Sequence, residues 1–287
     1  MTPGPGLVQC PSVVLDRDGT NRRFPGIREL VKDRPWSTVW RDGDLWLKRC
    51  KSIWRFEPAL TAALAERWPD RLPEVVGRAD DWLLLRDAGS PVDALPGAHG
   101  VWLEAIARYS ELQRGEVAHV DEHLANGVPD QRNATLPACY AAMLEREDLP
   151  WRGAQLERFR RFEPRFAELC AELEDVASVN HDDLHIFNVY EGPRILDWGD
   201  SCVSHPFFSL VVTFMFVESG HAEIRDAYLE GYGGDRATFD LALRVGRIAH
   251  LFKWIRVRDE LPPGELPEYD EHFATWWFAQ AARQLDE

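Results

Sequence analysis

Little in these 287 residues suits an oxidising compartment or a bilayer. The five cysteines, Cys10, Cys50, Cys139, Cys170 and Cys202, are odd in number, far apart and contain no Cys-x-x-Cys pair. That excludes a disulfide framework or a thiolate zinc site as the organising principle. The longest apolar run, residues 206–217, is shorter than the ~20 residues of a membrane-spanning helix. Residues 1–6 lack a basic segment followed by an apolar stretch, so no secretory signal is expected and the expected location is cytoplasmic. Basic residues are in deficit: 33 Lys and Arg against 48 Asp and Glu give a formal net charge of −15. Such a surface repels phosphate backbones and anionic lipid, arguing against nucleic acid and membrane as partners and favouring a cationic small molecule. Internal repeats, low-complexity tracts and charge blocks are missing too.

What is present is apolar and aromatic. Hydrophobic residues make up 45% of the chain and tryptophans number 12, enough to bury a large core in one domain or two lobes. Periodicity changes along the chain. Short β-like runs fill the first ninety residues, at 12–15, 38–41, 45–49, 73–77 and 82–86, with one helix at 58–68. From residue 101 onward helical spacing dominates, at 101–113, 136–146, 155–176, 207–218, 222–232, 236–260 and 268–284. The Gly- and Pro-rich stretch 87–100 reads as the join. Asp42-Gly43 between two alternating runs is a hairpin signal. With those two residues as the loop, Ser37 faces Lys48.

One non-helical interruption, 179–201, stands in the helical part and reads Asn180-His-Asp-Asp-Leu-His-Ile-Phe-Asn-Val-Tyr-Glu-Gly-Pro-Arg-Ile-Leu-Asp-Trp-Gly-Asp-Ser201. Val189-Tyr190 and Ile195-Leu196 look like two short strands around a Gly192-Pro193 turn, which sets Asn188 opposite Asp197. Opposed residues have Cβ atoms ~4.5–5.5 Å apart. A carboxylate and an amide oxygen at that distance suit one hard cation, and Mg²⁺, which accepts a sparse protein set completed by water and phosphates, is the candidate. Asp183 projects from the preceding loop. A carboxylate beside a metal-bound phosphate donor accepts the proton of an attacking hydroxyl, which outlines a phosphotransferase site.

His181-x-Asp183-x4-Asn188 followed by Ile195-Leu-Asp197-Trp resembles the catalytic loop and metal-binding motif of the aminoglycoside phosphotransferase family, small-molecule relatives of the protein kinases. The resemblance implies Asp183 as catalytic base, Asn188 and Asp197 as magnesium ligands, and His181 as support of the loop. It extends to Lys48, which resembles the phosphate-anchoring lysine with Glu57 as its acidic partner. Leu83-Leu-Leu-Arg86-Asp-Ala88-Gly89 resembles the last strand and the hinge that holds a nucleobase through its backbone. No Gly-x-Gly-x-x-Gly loop is present, only Pro35-Trp-Ser37-Thr38, so Ser37, Thr38 and backbone donors are left to meet the phosphates of ATP or GTP. Asp182 stands where the family commonly has glycine, and it and Asp200 are candidate substrate contacts.

The resemblance implies an α+β, two-lobed, protein-kinase-like fold. A small N-terminal antiparallel sheet lobe, 1–88, binds nucleotide, and a larger, mainly helical lobe, 89–287, carries catalysis and acceptor binding. The expected reaction moves the γ-phosphoryl group to a hydroxyl of a small, amino-bearing molecule such as an aminoglycoside or amino sugar. Two alternatives stand beside it: a nucleotide-binding pseudoenzyme, and a metal hydrolase built on His181, Asp183 and His185. Trp254, Trp276 and Trp277 are expected in core packing, and Glu218, Asp259 and Glu260 on solvated helix faces. The oligomeric state leaves no signature in the sequence.

Overall fold

The computed structural model describes residues 29–285, together with the backbone of 13–15 and 21–23. Cys10 and residues 1–6 lie outside the described residues. In chain order, β1 (Val13–Leu15) pairs with β2 (Asn21–Arg23), and a five-stranded sheet follows. It comprises β3 (Glu29–Asp33), β4 (Ser37–Asp42), β5 (Leu45–Cys50), β6 (Val75–Ala79) and β7 (Trp82–Arg86), with α1 (Glu57–Arg67) between β5 and β6. Its order is β3-β4-β5-β7-β6, antiparallel throughout.

Alternation decides which side each residue faces. Trp40, Leu47, Trp82 and Leu84 form a small cluster on one face. Leu83, directly opposite Lys48, belongs to the other face and joins the main core with Leu60 and Leu64 of α1. The β4–β5 turn differs from expectation. Asp42 pairs with Leu45, so the loop is Gly43-Asp44, with Gly43 at φ +60° supplying the left-handed position of a tight turn. Lys48 therefore faces Val39, and Ser37 faces Cys50. A displacement of two preserves the faces of the sheet, so Lys48 still points to the inner side.

The remainder is mainly helical: α2 (Ala98–Glu116), α3 (Val120–Ala125), α4 (Leu136–Leu144), α5 (Ala154–Glu172), α6 (Leu210–Phe216), α7 (His221–Tyr232), α8 (Arg236–Asp259), α9 (Leu266–His272) and α10 (Phe278–Ala282). In α5, Phe159, Phe162, Phe166, Leu169 and Cys170 recur at helical spacing and are buried. Gly231 permits the α2–α7 approach, since a Cβ there would sit 2.6 Å from the Ala107 carbonyl oxygen. The expected helix at 207–218 begins later, because 206–209 form a 3₁₀ turn capped by His205 Nδ1. The expected 268–284 helix is broken by a π-helical turn over Phe273–Trp277. Apolar packing runs continuously from α1 and the inner sheet face into these helices.

Briefly between α3 and α4, and at length between α5 and α6, the chain leaves helix. β8 (Asp130–Gln131), β9 (Ser178–Asn180) and β12 (Cys202–Ser204) form a sheet of order β8-β12-β9, and β10 (Val189–Tyr190) pairs with β11 (Arg194–Ile195). Among the described residues no helix is long and apolar enough to cross a membrane.

Candidate active site

The cleft-side cluster starts from Lys48 on β5. Its Nζ lies 2.7 Å from Glu57 Oε1 and 2.5 Å from Asp197 Oδ1, joining sheet, helix α1 and the segment after β11. Burial alone would lower the Lys48 ammonium, but Asp197 and Glu57 outweigh it and hold it well above its ordinary value. Asp197 is held at about 2, chiefly by Lys48, so it is a carboxylate at neutral pH. Glu57 begins α1, where the proline after it occupies a tolerated first-turn position. Burial raises its carboxyl against the pull of Lys48, and the Cys50 thiol donates to its second oxygen at 3.2 Å. Gly199 makes the approach possible: a Cβ there would stand 2.7 Å from the Trp54 ring and 2.9 Å from Glu57 Oε2.

The second cluster is the loop after β9. Asn188 Nδ2 donates to the backbone oxygen of Asp183 at 2.9 Å and to its Oδ2 at 3.1 Å. The register of β10–β11 sets Asn188 opposite Leu196, one residue short of the expected partner, because three residues, Glu191-Gly192-Pro193, make the turn. Asp197 follows in the left-handed region at φ +64°, which ends the ladder and lets its side chain reach Lys48. Asp197 is 47% exposed. With the amide nitrogen of Asn188 spent on Asp183, its oxygen and the Asp197 carboxylate remain as hard donors, a set that fits a hard divalent cation.

His181 is fully buried, its Nε2 donating to the Leu196 carbonyl at 2.8 Å and its ring 4.8 Å from Trp198. Burial lowers it, so the ring is neutral. It ties the loop after β9 to the residue that follows β11. His181, Asp183 and His185 do not converge as a metal triad, since His181 is turned to Leu196 while His185 Nε2 lies 3.5 Å from Asp183.

Other expected site residues lie elsewhere. The Thr38 hydroxyl donates to Asp33 at 2.8 Å, and buried Ser37 begins β4. The Arg86 side chain turns out onto the sheet surface to Asp44 and Glu74, leaving only its backbone near the hinge. Ala88 is buried beside Gly89, whose φ of +88° allows the chain to turn there. Asp182 corrects the expectation of a substrate contact: it is 5% exposed and faces α8. Asp200 is pushed up to about 7 by burial, with Asp183 and Asp197 adding to the shift and Lys253 opposing it. Asp259 pairs with Arg146, and Glu260 accepts from Ser52. Trp254 and Trp277 stack at 4.4 Å, half-buried, whereas Trp276 is exposed.

Sequence reasoning missed the foundation beneath this loop. Tyr109 Oη accepts from the His181 backbone N–H at 2.9 Å and bonds Ser209 Oγ at 2.7 Å. Gln113 donates to the Val179 carbonyl, and Asn180 Oδ1 accepts from Ser209 and from the Asp182 N–H. All are polar residues on apolar-looking helices or strands, and a polar residue at an otherwise buried helical position was the available signal.

The model of the phosphotransferase enzyme family matches residues 92–242, just over half of the chain. Several solved structures are similar. A choline/ethanolamine kinase family protein from Mesorhizobium loti is 18% identical, with a TM-score of 0.54, over 90% of this chain and 91% of the other. A macrolide 2′-phosphotransferase from Brachybacterium faecium is 16% identical, with a TM-score of 0.57, over 82% and 86%. An aminoglycoside phosphotransferase solved as a ternary complex with streptomycin and ATP is 13% identical, with a TM-score of 0.59, over 90% and 94%. They share the two-lobed, protein-kinase-like fold. No sequence among curated proteins matches.

Proposed function

The chain belongs to the phosphotransferase enzyme family, and from that premise we propose that it transfers the γ-phosphoryl group of ATP or GTP, with Mg²⁺, to a hydroxyl of a small amine-bearing molecule. The observation that carries this reading is the meeting of Lys48, Glu57 and Asp197 across 149 residues of sequence, beside the Asp183–Asn188 contact. A nucleotide donor is supported by relatives of the same fold solved with GDP and with ATP. The proposed division places the nucleotide lobe at 1–88 and the acceptor-binding helical lobe at 89–287.

In the proposed mechanism Asp197 and the Asn188 oxygen would hold the cation, which would supply charge neutralisation on the phosphates when bound. Lys48, steadied by Glu57, presents its ammonium to the α and β phosphates. Asp183 orients the acceptor hydroxyl and takes its proton as the oxygen attacks the γ-phosphorus in line, the bond to the β–γ bridging oxygen breaking to release the nucleoside diphosphate. Its orientation comes from Asn188, and the loop beneath it is held by His181. Positioning and electrostatics supply most of the rate. Ser37, Thr38 and the backbone around Arg86 and Ala88 complete the nucleotide cradle, Thr38 through its backbone because its hydroxyl is engaged by Asp33. An amine on the acceptor is supported by the partly exposed Asp183 carboxylate and by the net charge of −15.

Thermal unfolding with Mg²⁺ and ATP, GTP or neither tests the donor, since a ligand of the folded state raises the midpoint by mass action. A magnesium-dependent rise, followed by phosphate transfer to one of a panel of aminoglycosides, amino sugars and amino alcohols, is expected. A rise without transfer to any acceptor or to water identifies a pseudoenzyme. No rise with either nucleotide overturns the reading.

A further inference from the structure

Resting on that reading, we infer that Lys253 of α8 is a positioning residue for the reaction: it holds the backbone turn that aims Asp183. Residues 180–200 carry seven acidic or amide side chains, and one of them, Asp182, is turned inward in the left-handed region at φ +55°. A left-handed aspartate costs more than a glycine would, so something must hold it. The holder is one face of α8. His250, Lys253 and Trp254 stand at i, i+3 and i+4; the first two meet the turn and Trp254 backs them.

The contacts have a definite order. Lys253 Nζ donates to the Asp182 backbone carbonyl at 2.9 Å and lies 3.4 Å from its Oδ2 and 3.9 Å from Asp200 Oδ1. Trp254 Nε1 donates to His250 Nε2 at 2.8 Å, so the proton of the neutral ring is on Nδ1 and is donated to Asp182 Oδ1 at 3.1 Å. The Asp182 N–H donates to Asn180 Oδ1. Both the amide and the carbonyl of this residue are thus fixed, one by Asn180 and the other by Lys253, immediately before Asp183. The Lys253 side chain is 2% exposed and that of Asp182 is 6% exposed. Burial would discharge the ammonium, but Asp182, Asp200 and Asp183 outweigh it and keep it protonated.

Of the two bonds Lys253 makes to residue 182, the backbone bond is the shorter, and it survives any change of the side chain there. The positioning role therefore separates from simple neutralisation of a buried carboxylate. In Asp182→Gly the left-handed turn is relaxed and the carbonyl bond to Lys253 is retained. In Asp182→Gly/Lys253→Met the buried carboxylate and the ammonium leave together, so only Asp200, 24% exposed and 3.9 Å from the lost ammonium, is left without a cation; the variant is expected to fold, but the carbonyl loses its donor. Lys253→Met alone strands the Asp182 carboxylate with His250 and is expected to be the least stable of the three.

The test measures kcat and nucleotide KM with Mg²⁺ and the best acceptor of the panel, together with the magnesium–nucleotide thermal shift. Asp182→Gly is expected to keep kcat within about threefold. The double variant is expected to lose at least tenfold in kcat while its nucleotide KM and thermal shift stay near those of the unaltered protein. A folded double variant with unchanged kcat overturns the inference, since Lys253 then only neutralises Asp182. An equal loss in Asp182→Gly also overturns it, because the carboxylate and not the carbonyl bond then holds the turn. If the unaltered protein neither binds nor turns over nucleotide, it is the phosphotransferase reading that fails.

Discussion

Two lysines, one half-buried and one fully buried, anchor the charged contacts of this molecule, and they differ in what they leave open. Lys48, in the sheet lobe, bridges Glu57 and a half-exposed Asp197. Lys253, in the helical lobe, is sealed against Asp182 and a backbone carbonyl. The ingredients are the same, an ammonium in a low-dielectric setting with two carboxylates in reach. The first pair includes a half-exposed carboxylate, which is what the proposed binding of phosphates and a cation requires. The second faces the core, so its energy goes into holding a turn. Buried ion pairs are weak sources of net stability because desolvation offsets attraction; their use here lies in where they fix the chain.

The comparison breaks most visibly at the cleft. Asp183→Ala is expected to reduce transfer by roughly 10²–10⁴-fold, the usual contribution of a general base, while leaving the magnesium-dependent thermal shift intact. Asp197→Ala is expected to lose both turnover and shift; a variant that keeps the shift would remove Asp197 from the metal site. Lys48→Met comes next, with a loss of about 10²–10³-fold, as for other preorganised charge donors, and a weaker nucleotide response. Turnover assays and melting curves on the same samples check all three.

The two β-hairpins show how much could be read without a structure. Composition and periodicity located the sheet, the helical remainder and the interruption at 179–201, because side-chain spacing at two and 3.6 residues is a local property. Register was not legible at the same level. At Gly43-Asp44 and at Glu191-Gly192-Pro193 the choice of loop residue moved the pairing by two and by one. A turn of two or three residues differs by little in local preference, and the packing of the flanking strands decides it. β3 and α3 escaped for the same reason, being short and weakly patterned.

A third buried charge site lies away from both lysines and sharpens the contrast between function and stability. Glu116 on α2 is fully buried and receives hydrogen bonds from His123, Arg67 and Trp68. Burial would raise its carboxyl, but these donors outweigh it and hold it at about 2, below its ordinary 4.5. A depressed folded-state value contributes stability that is present above about pH 4.5 and lost as the pH falls towards 2. Glu116→Gln is expected to destabilise the protein at pH 7 by roughly 2–3 kcal/mol and to flatten the loss between pH 5 and 3, with no effect on the nucleotide shift. Chemical unfolding as a function of pH checks this. The smallest expected effect is at the start of α8, where Asp235 caps Ala237 and Thr238. Asp235→Ala is expected to cost about 1 kcal/mol, and kcat should hold, since the cap is fifteen residues before His250.

By itself, the sequence determined that the chain folds around a large apolar core, that a sheet region precedes a helical one, and that Asp183, Asn188 and Asp197 share one short segment. Those features rest on residue type and spacing within a few positions. Only the tertiary structure decided that Lys48 meets Asp197, that Asp182 turns inward, and that Lys253 rises from α8, 71 positions further on, to hold it. Such contacts depend on how α1 and α8 dock against the loop, and docking is set by the packing of the whole core rather than by any pattern local to the residues that meet.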